Sequence, residues 1–209
     1  MNAHMAEPRF RRRKEDRPQE ITDAALAAFA EKGYAATRVD EVAKRAGVSK
    51  GLLYLYFKTK EDLFKAVIRS FVVPRIDALT AIVDSSEMSA EDFLRGPFFE
   101  FVKTVPSSPI SILIRLMIAE GPKHPDLLQF YWDNVVSRGL GALSEILDRG
   151  VRQGEFRRSA VNDLPHLFAM PVLFSVVFKS LFEKNCPDTD KLIGTQIDLL
   201  IAHMKGDAS

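Results

Sequence analysis

Residues 36–64 read ATRVDEVAKRAGVSKGLLYLYFKTKEDLF, and this stretch decides the fold of its part of the chain. Its first third carries apolar residues at helical spacing, namely Val39, Val42, Ala43 and Ala46. We expect Thr37 to be the N-cap of this helix, with Asp40 as the second half of a capping box. Gly47 ends the helix because a residue without Cβ tolerates positive φ, and Ser49 caps the helix that follows. The pattern predicts a helix-turn-helix.

The second helix, residues 50–57, has two different faces. Leu53 and Phe57 share one face, flanked by Leu52 and Tyr56, and this face belongs to the core. The other face carries Lys50, Gly51, Tyr54, Leu55 and Lys58. Lys50 can reach a phosphate or a guanine edge, Tyr54 can bond a phosphate or a base, and Leu55 can contact a thymine methyl. This face indicates a helix for the major groove of DNA. The alternative is that Tyr54 and Tyr56 only complete the packing of a three-helix unit.

Lys60 follows this helix at the start of the next one, where Thr59 and Asp62 form a capping pair. Free N–H groups and the helix dipole favour an anion at such a position. We therefore expect Lys60 to hold a DNA phosphate, the alternative being a solvated lysine.

A basic segment lies upstream at residues 9–14 (RFRRRK). Such arms follow a narrow minor groove or run along phosphates. The alternative is a disordered tail that only raises solubility. The predicted DNA contacts are Arg11, Arg12, Arg13, Thr37, Arg38, Lys50, Gly51, Tyr54, Leu55, Tyr56, Lys58 and Lys60.

The charge distribution separates the chain into two parts, although its 209 residues have a net charge of only +1. Residues 1–60 hold 13 Lys and Arg against 8 Asp and Glu, and the remainder holds 16 against 20. A basic N-terminal part on an acidic remainder is typical of a DNA-binding domain with a separate regulatory body. The single cysteine, Cys186, excludes an intrachain disulfide and fits a reducing cytoplasm. The N-terminus carries no apolar signal region, so we expect a cytoplasmic protein.

Beyond residue 72 the sequence is helical and is divided by proline and capping residues. Pro74 predicts a break after the helix that begins at Lys60. Ser89 and Ser108-Pro109 open further helices, and Pro125 opens a long helix that reaches Gly150 or Gly154. No strand alternation appears, so the prediction is an all-α fold. Its parts are a flexible basic arm (1–16), a three-helix DNA-binding domain (17–62) and a helical bundle for regulation and dimerisation (63–209).

The last two predicted helices are unusually apolar, which favours a dimer interface over an internal core face. A helix-turn-helix protein gains from two-fold symmetry, because two recognition helices about 34–36 Å apart meet successive major grooves of a palindromic site. The predicted interface residues are Leu167, Phe174, Phe178, Leu181, Ile193, Ile197, Leu200, Ile201 and Met204.

The middle helices contain aromatic and polar side chains suited to a small-molecule pocket. The candidate effector-binding residues are Phe98, Phe101, Arg115, Met117, Trp132, His166, Met170 and Phe174. The alternative for each is an ordinary core position. His124 and His166 lack neighbouring ligands at metal-binding spacing, so we expect no metal and no other cofactor.

Residues 19–67 resemble the N-terminal domain of the TetR family of bacterial transcriptional regulators. The resemblance rests on Gly33-Tyr34, Thr37, the turn at residues 46–49, Leu53-Tyr54, Phe57, Lys60 and Leu63. It implies a homodimer of all-helical subunits, about nine helices each, that represses transcription until a small molecule loosens DNA binding. Many members carry a hydroxyl residue at the position of Leu52 and an aromatic or polar residue at that of Leu55. With two leucines here, shape and backbone contacts carry more of the expected specificity.

The sequence therefore predicts a homodimeric repressor that binds a palindromic operator and is released by a small apolar or aromatic effector. The alternative is a DNA-bound interaction protein of the same fold without a small-molecule ligand. An enzyme is not expected, because no catalytic carboxylate pair, nucleophile motif or cofactor loop is found.

Overall fold

The computed structural model describes residues 9–85 and 87–206, with side chains described from residue 17 onwards. Within these ranges the regular structure is entirely helical, so the all-α prediction is confirmed. The chain divides into two compact units after Ser70.

The first unit is built from four helices. They are α1 (Arg9–Ala36), α2 (Val39–Arg45), α3 (Lys50–Tyr56) and α4 (Lys60–Phe71). The helical path of α1 breaks at Gly33, where φ is +76°, a value that favours glycine. The rings of Phe29, Tyr34 and Phe64 pack with centroids 5.2–5.7 Å apart and, with fully buried Leu53 and Leu63, form the core of this unit.

Two predicted boundaries differ from the structure. The backbone of residues 9–16 forms the first turns of α1, whereas the sequence predicted a flexible arm over residues 1–16. Residues 9–16 contain neither glycine nor proline, so local propensity does not end the helix there. The side chains of Arg11, Arg12 and Arg13 lie outside the described residues. The first unit ends after Ser70 rather than at residue 62, because Phe64, Val67 and Ile68 of α4 are buried in it.

The second unit contains the remaining helices. In chain order they are α5 (Val73–Ser85), α6 (Ala90–Phe93), α7 (Phe99–Thr104), α8 (Pro109–Glu120), α9 (Pro125–Tyr131), α10 (Ser137–Arg152), α11 (Ala160–Asp163), α12 (His166–Leu181) and α13 (Thr189–Lys205). The segment Leu94–Phe98, which is kinked at Gly96-Pro97, joins α6 to α7, and a π-helical turn at Trp132–Val136 joins α9 to α10. The predicted break near Pro74 and the predicted long helix from Pro125 are both present.

Polar contacts fix α6 to its neighbours in this unit. The carboxylate of Glu155 accepts hydrogen bonds from the backbone N–H groups of Ala90 and Glu91, which caps the N-terminus of α6. Arg95 pairs with Asp198 and the Glu91 carboxylate pairs with Lys205, so two ion pairs connect this region to α13. The Lys205 and Arg95 cations lower the pKa of Glu91.

Within the described ranges, no single helix is long and apolar enough to cross a membrane. The segments Ala90–Ser107 and Pro109–Lys123 reach that length and composition only as a pair, with a bend of 67° between them.

Candidate nucleic-acid interface and effector cavity

The helix-turn-helix consists of α2, α3 and the turn between them. Gly47 has φ +66°, as expected for a glycine that ends a helix, and the N–H of Val48 donates to the carbonyl oxygen of Ala43 at 3.0 Å. The Ser49 hydroxyl accepts a hydrogen bond from the backbone N–H of Leu52 at 3.1 Å, so the predicted cap of α3 is confirmed. These contacts set the angle at which α3 leaves α2.

Thr37 is not the cap of α2 and its side chain does not face solvent. The N-cap is Arg38, which makes no side-chain capping bond. Thr37 is 2% exposed, and its hydroxyl donates to the carbonyl oxygens of Gly33 at 2.7 Å and Ala28 at 3.2 Å. The predicted DNA contact of the Thr37 side chain is therefore wrong. The spacing identified the start of α2, but it did not reveal that α1 offers carbonyl oxygens at the break at Gly33.

The outer face of α3 is the exposed surface that the sequence predicted. Leu53 points into the core and is fully buried, whereas Leu55 is 81% exposed and Tyr54 is 39% exposed. Lys50, Gly51 and Lys58 are also exposed, and Tyr56 is half-buried with its ring 6.3 Å from that of Phe57. We call the exposed set Lys50, Gly51, Tyr54, Leu55 and Lys58 the recognition face.

Lys50 of the recognition face forms an ion pair with Asp40 of α2. Its ammonium lies 2.8 Å from a carboxylate oxygen of Asp40, and the hydrogen bond to this carboxylate raises the pKa of Lys50. Arg38, which is exposed, opposes that shift by its positive charge. Both partners of the ion pair are more than half exposed, so the pair can open at little cost when a phosphate replaces Asp40.

Lys60 has a structural role in the first unit instead of the predicted place on DNA. Its ammonium donates to the carbonyl oxygens of Tyr34 at 2.8 Å, Ala35 at 3.0 Å and Thr37 at 3.2 Å. An ammonium has three donors, so these bonds use its full capacity. The prediction that Lys60 holds a phosphate is wrong for this conformation. The predicted capping pair of Thr59 and Asp62 is present, with bonds of 2.9 and 3.1 Å.

Two further ion pairs fix α2 against α1. Arg45 donates to both carboxylate oxygens of Glu31, at 2.8 and 2.6 Å, and this bond lowers the pKa of Glu31. Lys32 pairs with Glu41 at 2.5 Å.

The second unit encloses an apolar cavity of about 190 Å³. Side chains from every helix between α5 and α10, from the segments that join them, and from α12 surround it. Its lining residues are Val72, Ile76, Leu79, Phe93, Phe98, Phe101, Val102, Val105, Ile110, Ile114, Tyr131, Val135, Val136, Gly139, Leu140, Ala142, Leu143, Ala169, Val172 and Leu173. Tyr131 is the only one of them with a polar side-chain atom.

Two of the eight candidate effector residues, Phe98 and Phe101, line this cavity. Arg115, His166, Met170 and Phe174 are exposed, and Met117 is buried outside the cavity lining. The sequence identified the correct helices but the wrong face of α12, because that helix is apolar around most of its circumference. Tyr131 was missed, although its position beside Trp132 in a Phe-Tyr-Trp run is a usable signal.

A groove lies next to the cavity and shares two residues with it. Pro125, Leu128, Gln129, Tyr131, Trp132 and Val136 line the groove, and Tyr131 and Val136 also line the cavity. Trp132 is 48% exposed. Burial raises the pKa of Tyr131 to about 12. Among the described residues, no group of three His, Cys, Asp or Glu side chains is placed to hold a metal ion.

The predicted interface residues divide between the core and the surface. On α13, Ile193, Ile197, Leu200, Ile201 and Met204 are buried within the subunit, so their assignment to an interface is wrong. The apolar stripe of α13 packs inside the subunit, where α12 and α7 are its neighbours. Helical periodicity cannot distinguish that role from a role in an interface between subunits. On α12, Phe174 and Leu181 are exposed, and Leu167 and Phe178 are half-buried. The exposed apolar residues of α12 form one stripe: Met170, Leu173, Phe174, Val177 and Leu181.

Each of the two units contains a segment that matches a known protein family. A family model described as "Bacterial regulatory proteins, tetR family" matches residues 21–67, and one described as "AefR-like transcriptional repressor, C-terminal domain" matches residues 98–164. The HTH-type transcriptional repressor KstR2 of Mycolicibacterium smegmatis is 30% identical over 155 residues, 73% of this chain and 73% of that protein.

Two solved structures are similar in fold. The regulator FadR from Bacillus subtilis, in complex with stearoyl-CoA, has a TM-score of 0.74 at 23% identity, covering 88% of this chain and 97% of that one. SmeT of Stenotrophomonas maltophilia, in complex with triclosan, has a TM-score of 0.78 at 19% identity, covering 92% and 93%.

Proposed function

Because the chain belongs to the TetR family of bacterial regulatory proteins and is a DNA-binding transcriptional regulator rather than an enzyme, we propose that it is a homodimeric repressor that a small molecule releases from a palindromic operator. It acts in the cytoplasm on the bacterial chromosome. The observation that carries the proposal is the recognition face of α3, which combines exposed cations with Tyr54 and Leu55.

The recognition face supports two kinds of DNA contact. Lys50 and Lys58 supply charge for phosphates or guanine edges, and Arg38 adds a cation beside them. Leu55 projects further into solvent than the other large apolar residues of the described chain, which suits contact with a thymine methyl group. Few polar base contacts follow from this face, so sequence-dependent DNA shape contributes to its specificity.

The exposed stripe of α12 supports the homodimer. Its five large apolar side chains form a continuous exposed patch, which is typical of an interaction surface. A second copy related by two-fold symmetry would cover this patch with the same row of residues. A symmetric pair also spaces two recognition helices for a palindromic site.

The cavity supports ligand control. It is apolar, it lies among the helices of the second unit, and FadR and SmeT were solved with small molecules bound. The chain passes from α4 of the first unit directly into Val72, the first cavity-lining residue. A ligand that binds better to a subunit conformation unsuited to DNA lowers DNA affinity by the same coupling free energy, typically ~1–3 kcal/mol.

The second candidate function is a DNA-bound interaction protein without a ligand. A fully packed second unit would favour it, and the cavity of about 190 Å³ favours the ligand-responsive repressor instead.

Genome-wide mapping of binding sites tests the proposal. We expect enriched sites to contain an inverted repeat, and purified protein to bind that repeat as two subunits. Small molecules suggested by the neighbouring genes are then added to the complex. Release of DNA by one of them supports the repressor, whereas equal binding with every saturating ligand contradicts the proposed switch.

A further inference from the structure

We propose that the cavity and the groove form one composite site for an uncharged ligand. Its apolar part occupies the cavity, one hydrogen-bonding atom meets Tyr131, and its outer part lies against Trp132. The inference rests on the proposed function, because it specifies the chemical class of the effector.

The lining of the cavity excludes a charged group. Nineteen of its twenty residues have no polar side-chain atom, and none is Lys, Arg, His, Asp or Glu. An ion placed there would lose its hydration and gain no partner of opposite charge, which costs far more than burying a neutral group. The part of the ligand that enters the cavity is therefore uncharged.

Tyr131 is the only side chain in the cavity that can direct a polar atom of a ligand. It lines the groove as well as the cavity. Because burial keeps this phenol protonated over the physiological pH range, it can donate to an oxygen or nitrogen of the ligand. Because this is the one directional polar group of the cavity, a ligand acceptor placed against it adds selectivity as well as affinity.

The groove extends the site to solvent without adding a cation. Tyr131 and Val136 belong to both spaces, and Trp132 presents a half-exposed ring beside them. The amide nitrogen of Gln129 is held by the carboxylate of Asp133 at 2.9 Å. No Lys or Arg lines the groove, so the phosphates of an acyl-CoA would find no partner among its residues.

The two interruptions between helices, a kink at Gly96-Pro97 and a π-helical turn at Trp132–Val136, both contribute to the composite site. Phe98 directly follows the kink, and Trp132, Val135 and Val136 belong to the π-helical turn. A π-turn inserts one residue into the helical repeat and rotates the side chains that follow, and such turns occur frequently at functional sites. The π-helical turn beside this cavity agrees with a ligand site there.

Trp132 is the only tryptophan of the chain, so its fluorescence reports directly on the site. The test titrates full-length protein with three probes of equal chain length: decan-1-ol, decanoate and decyltrimethylammonium. We expect decanol to change Trp132 fluorescence and to bind at least about tenfold more tightly than either ion, a difference of about 1.4 kcal/mol. Equal or tighter binding of an ion, or no response to any probe, would overturn the proposal.

Two glycines on α10 provide a matched pair of variants. A Cβ on Gly139, which lines the cavity, would meet only Ile76 at 3.8 Å, and a Cβ on exposed Gly141 would meet nothing within 4 Å. Both Gly→Leu substitutions improve helix propensity. We expect Gly139→Leu to fill the cavity and abolish decanol binding, while Gly141→Leu binds decanol as the wild type does. Unchanged binding by Gly139→Leu would place the ligand elsewhere.

Tyr131→Phe tests the hydrogen bond separately from the packing. We expect it to weaken decanol binding about three- to tenfold, the effect of one hydrogen bond, and to leave binding of decane unchanged. An equal loss for both probes would show that Tyr131 only shapes the cavity. DNA affinity is measured independently of all probes. A chain that binds DNA but not decanol contradicts this inference alone, and one that binds decanol but no DNA contradicts the proposed function.

Discussion

The ammonium of Lys60 lies 2.8 Å from the carbonyl oxygen of Tyr34 and 4.5 Å from the centroid of its ring. One side chain at the start of α4 therefore satisfies the backbone that follows the break in α1 and makes a cation–π contact with a core tyrosine. Carbonyl groups at a helix end lack intrahelical partners, and a cation is the appropriate group to bind them. The contact connects the first and fourth helices of the DNA-binding unit.

Lys60→Met should destabilise the first unit by about 1–3 kcal/mol, because three carbonyl oxygens lose a charged donor. Urea unfolding followed by circular dichroism measures this change. The matched control is Lys58→Met, two residues away and exposed on the recognition face. We expect the control to keep its stability and to lower the salt slope of DNA binding by about one. A stable Lys60→Met variant with the lower salt slope would restore Lys60 as a phosphate contact.

Tyr54→Phe and Leu55→Ala should separate the two kinds of contact made by the recognition face. Loss of the Tyr54 hydroxyl removes a hydrogen bond to DNA, and loss of the Leu55 side chain removes an apolar contact that depends on the base. We expect Tyr54→Phe to weaken operator binding with unchanged stability. Leu55→Ala should reduce the ratio of specific to non-specific affinity by about 1 kcal/mol or more. Fluorescence anisotropy with operator and scrambled DNA measures both effects, and wild-type affinity in either variant contradicts its assigned contact.

The sequence predicted local structure well because caps, turn glycines and prolines act over a few residues. Ser49, Gly47 and the pair Thr59–Asp62 all have the predicted roles. Thr37 and Lys60 were misassigned for a common reason, because each donates to carbonyl oxygens near the break in α1. For Lys60 these oxygens lie more than twenty residues away along the chain. Spacing shows which residues share a helix face, but not which distant backbone groups lie opposite that face.

The same limit applies to α12 and α13. Both helices are apolar around much of their circumference, so the pattern does not distinguish a face buried within the subunit from one left exposed. In the structure the α13 stripe is buried, with Ile193 fully covered, while Leu181 of α12 is 66% exposed. The cavity depends on the same distinction, because Ala169 and Val172 of α12 line it while Met170 between them is exposed.

Phe174→Glu and Leu181→Glu should each shift the protein from dimer to monomer. A two-fold interface receives each substitution twice, and a carboxylate in an apolar contact has no partner. The control is Ile118→Glu, which changes another exposed apolar residue, on α8. Sedimentation velocity measures the oligomeric state. Ile197→Ala truncates a core residue, so this variant should instead lower the free energy of unfolding by about 2–5 kcal/mol. Wild-type association in both α12 variants would contradict the proposed interface.

Gly150 and Gly141 should respond oppositely to alanine, although both lie in α10. A Cβ at Gly150 would lie 2.5 Å from Cδ2 of Phe156 and 2.8 Å from Cβ of Ala90, so the substitution forces packed groups apart. We expect Gly150→Ala to destabilise the second unit by about 1–3 kcal/mol through overpacking. Gly141→Ala meets nothing within 4 Å and should stabilise it by about 0.5–1 kcal/mol. Thermal unfolding compares the two, and stabilisation by both would contradict the close approach at Gly150.

Tyr131 should make the stability of the second unit depend on pH in the alkaline range. Burial raises its pKa from 10 to about 12, so the folded state disfavours the phenolate that the unfolded chain forms readily. A group whose folded pKa is raised contributes stability below its unfolded pKa and loses that contribution as pH rises towards the folded value. We therefore expect a loss of roughly 1–3 kcal/mol between pH 10 and pH 12 that is absent from Tyr131→Phe.

The difference between wild type and Tyr131→Phe isolates this loss, because other groups titrate equally in both proteins. Urea unfolding at several pH values measures stability, and tyrosinate absorbance follows ionisation of the folded protein. Tyr54→Phe controls for removal of a tyrosine from the first unit. If the stabilities of wild type and Tyr131→Phe fell in parallel above pH 10, Tyr131 would ionise as readily in the folded protein as in the unfolded chain. It would then lack the apolar surroundings that the composite site requires.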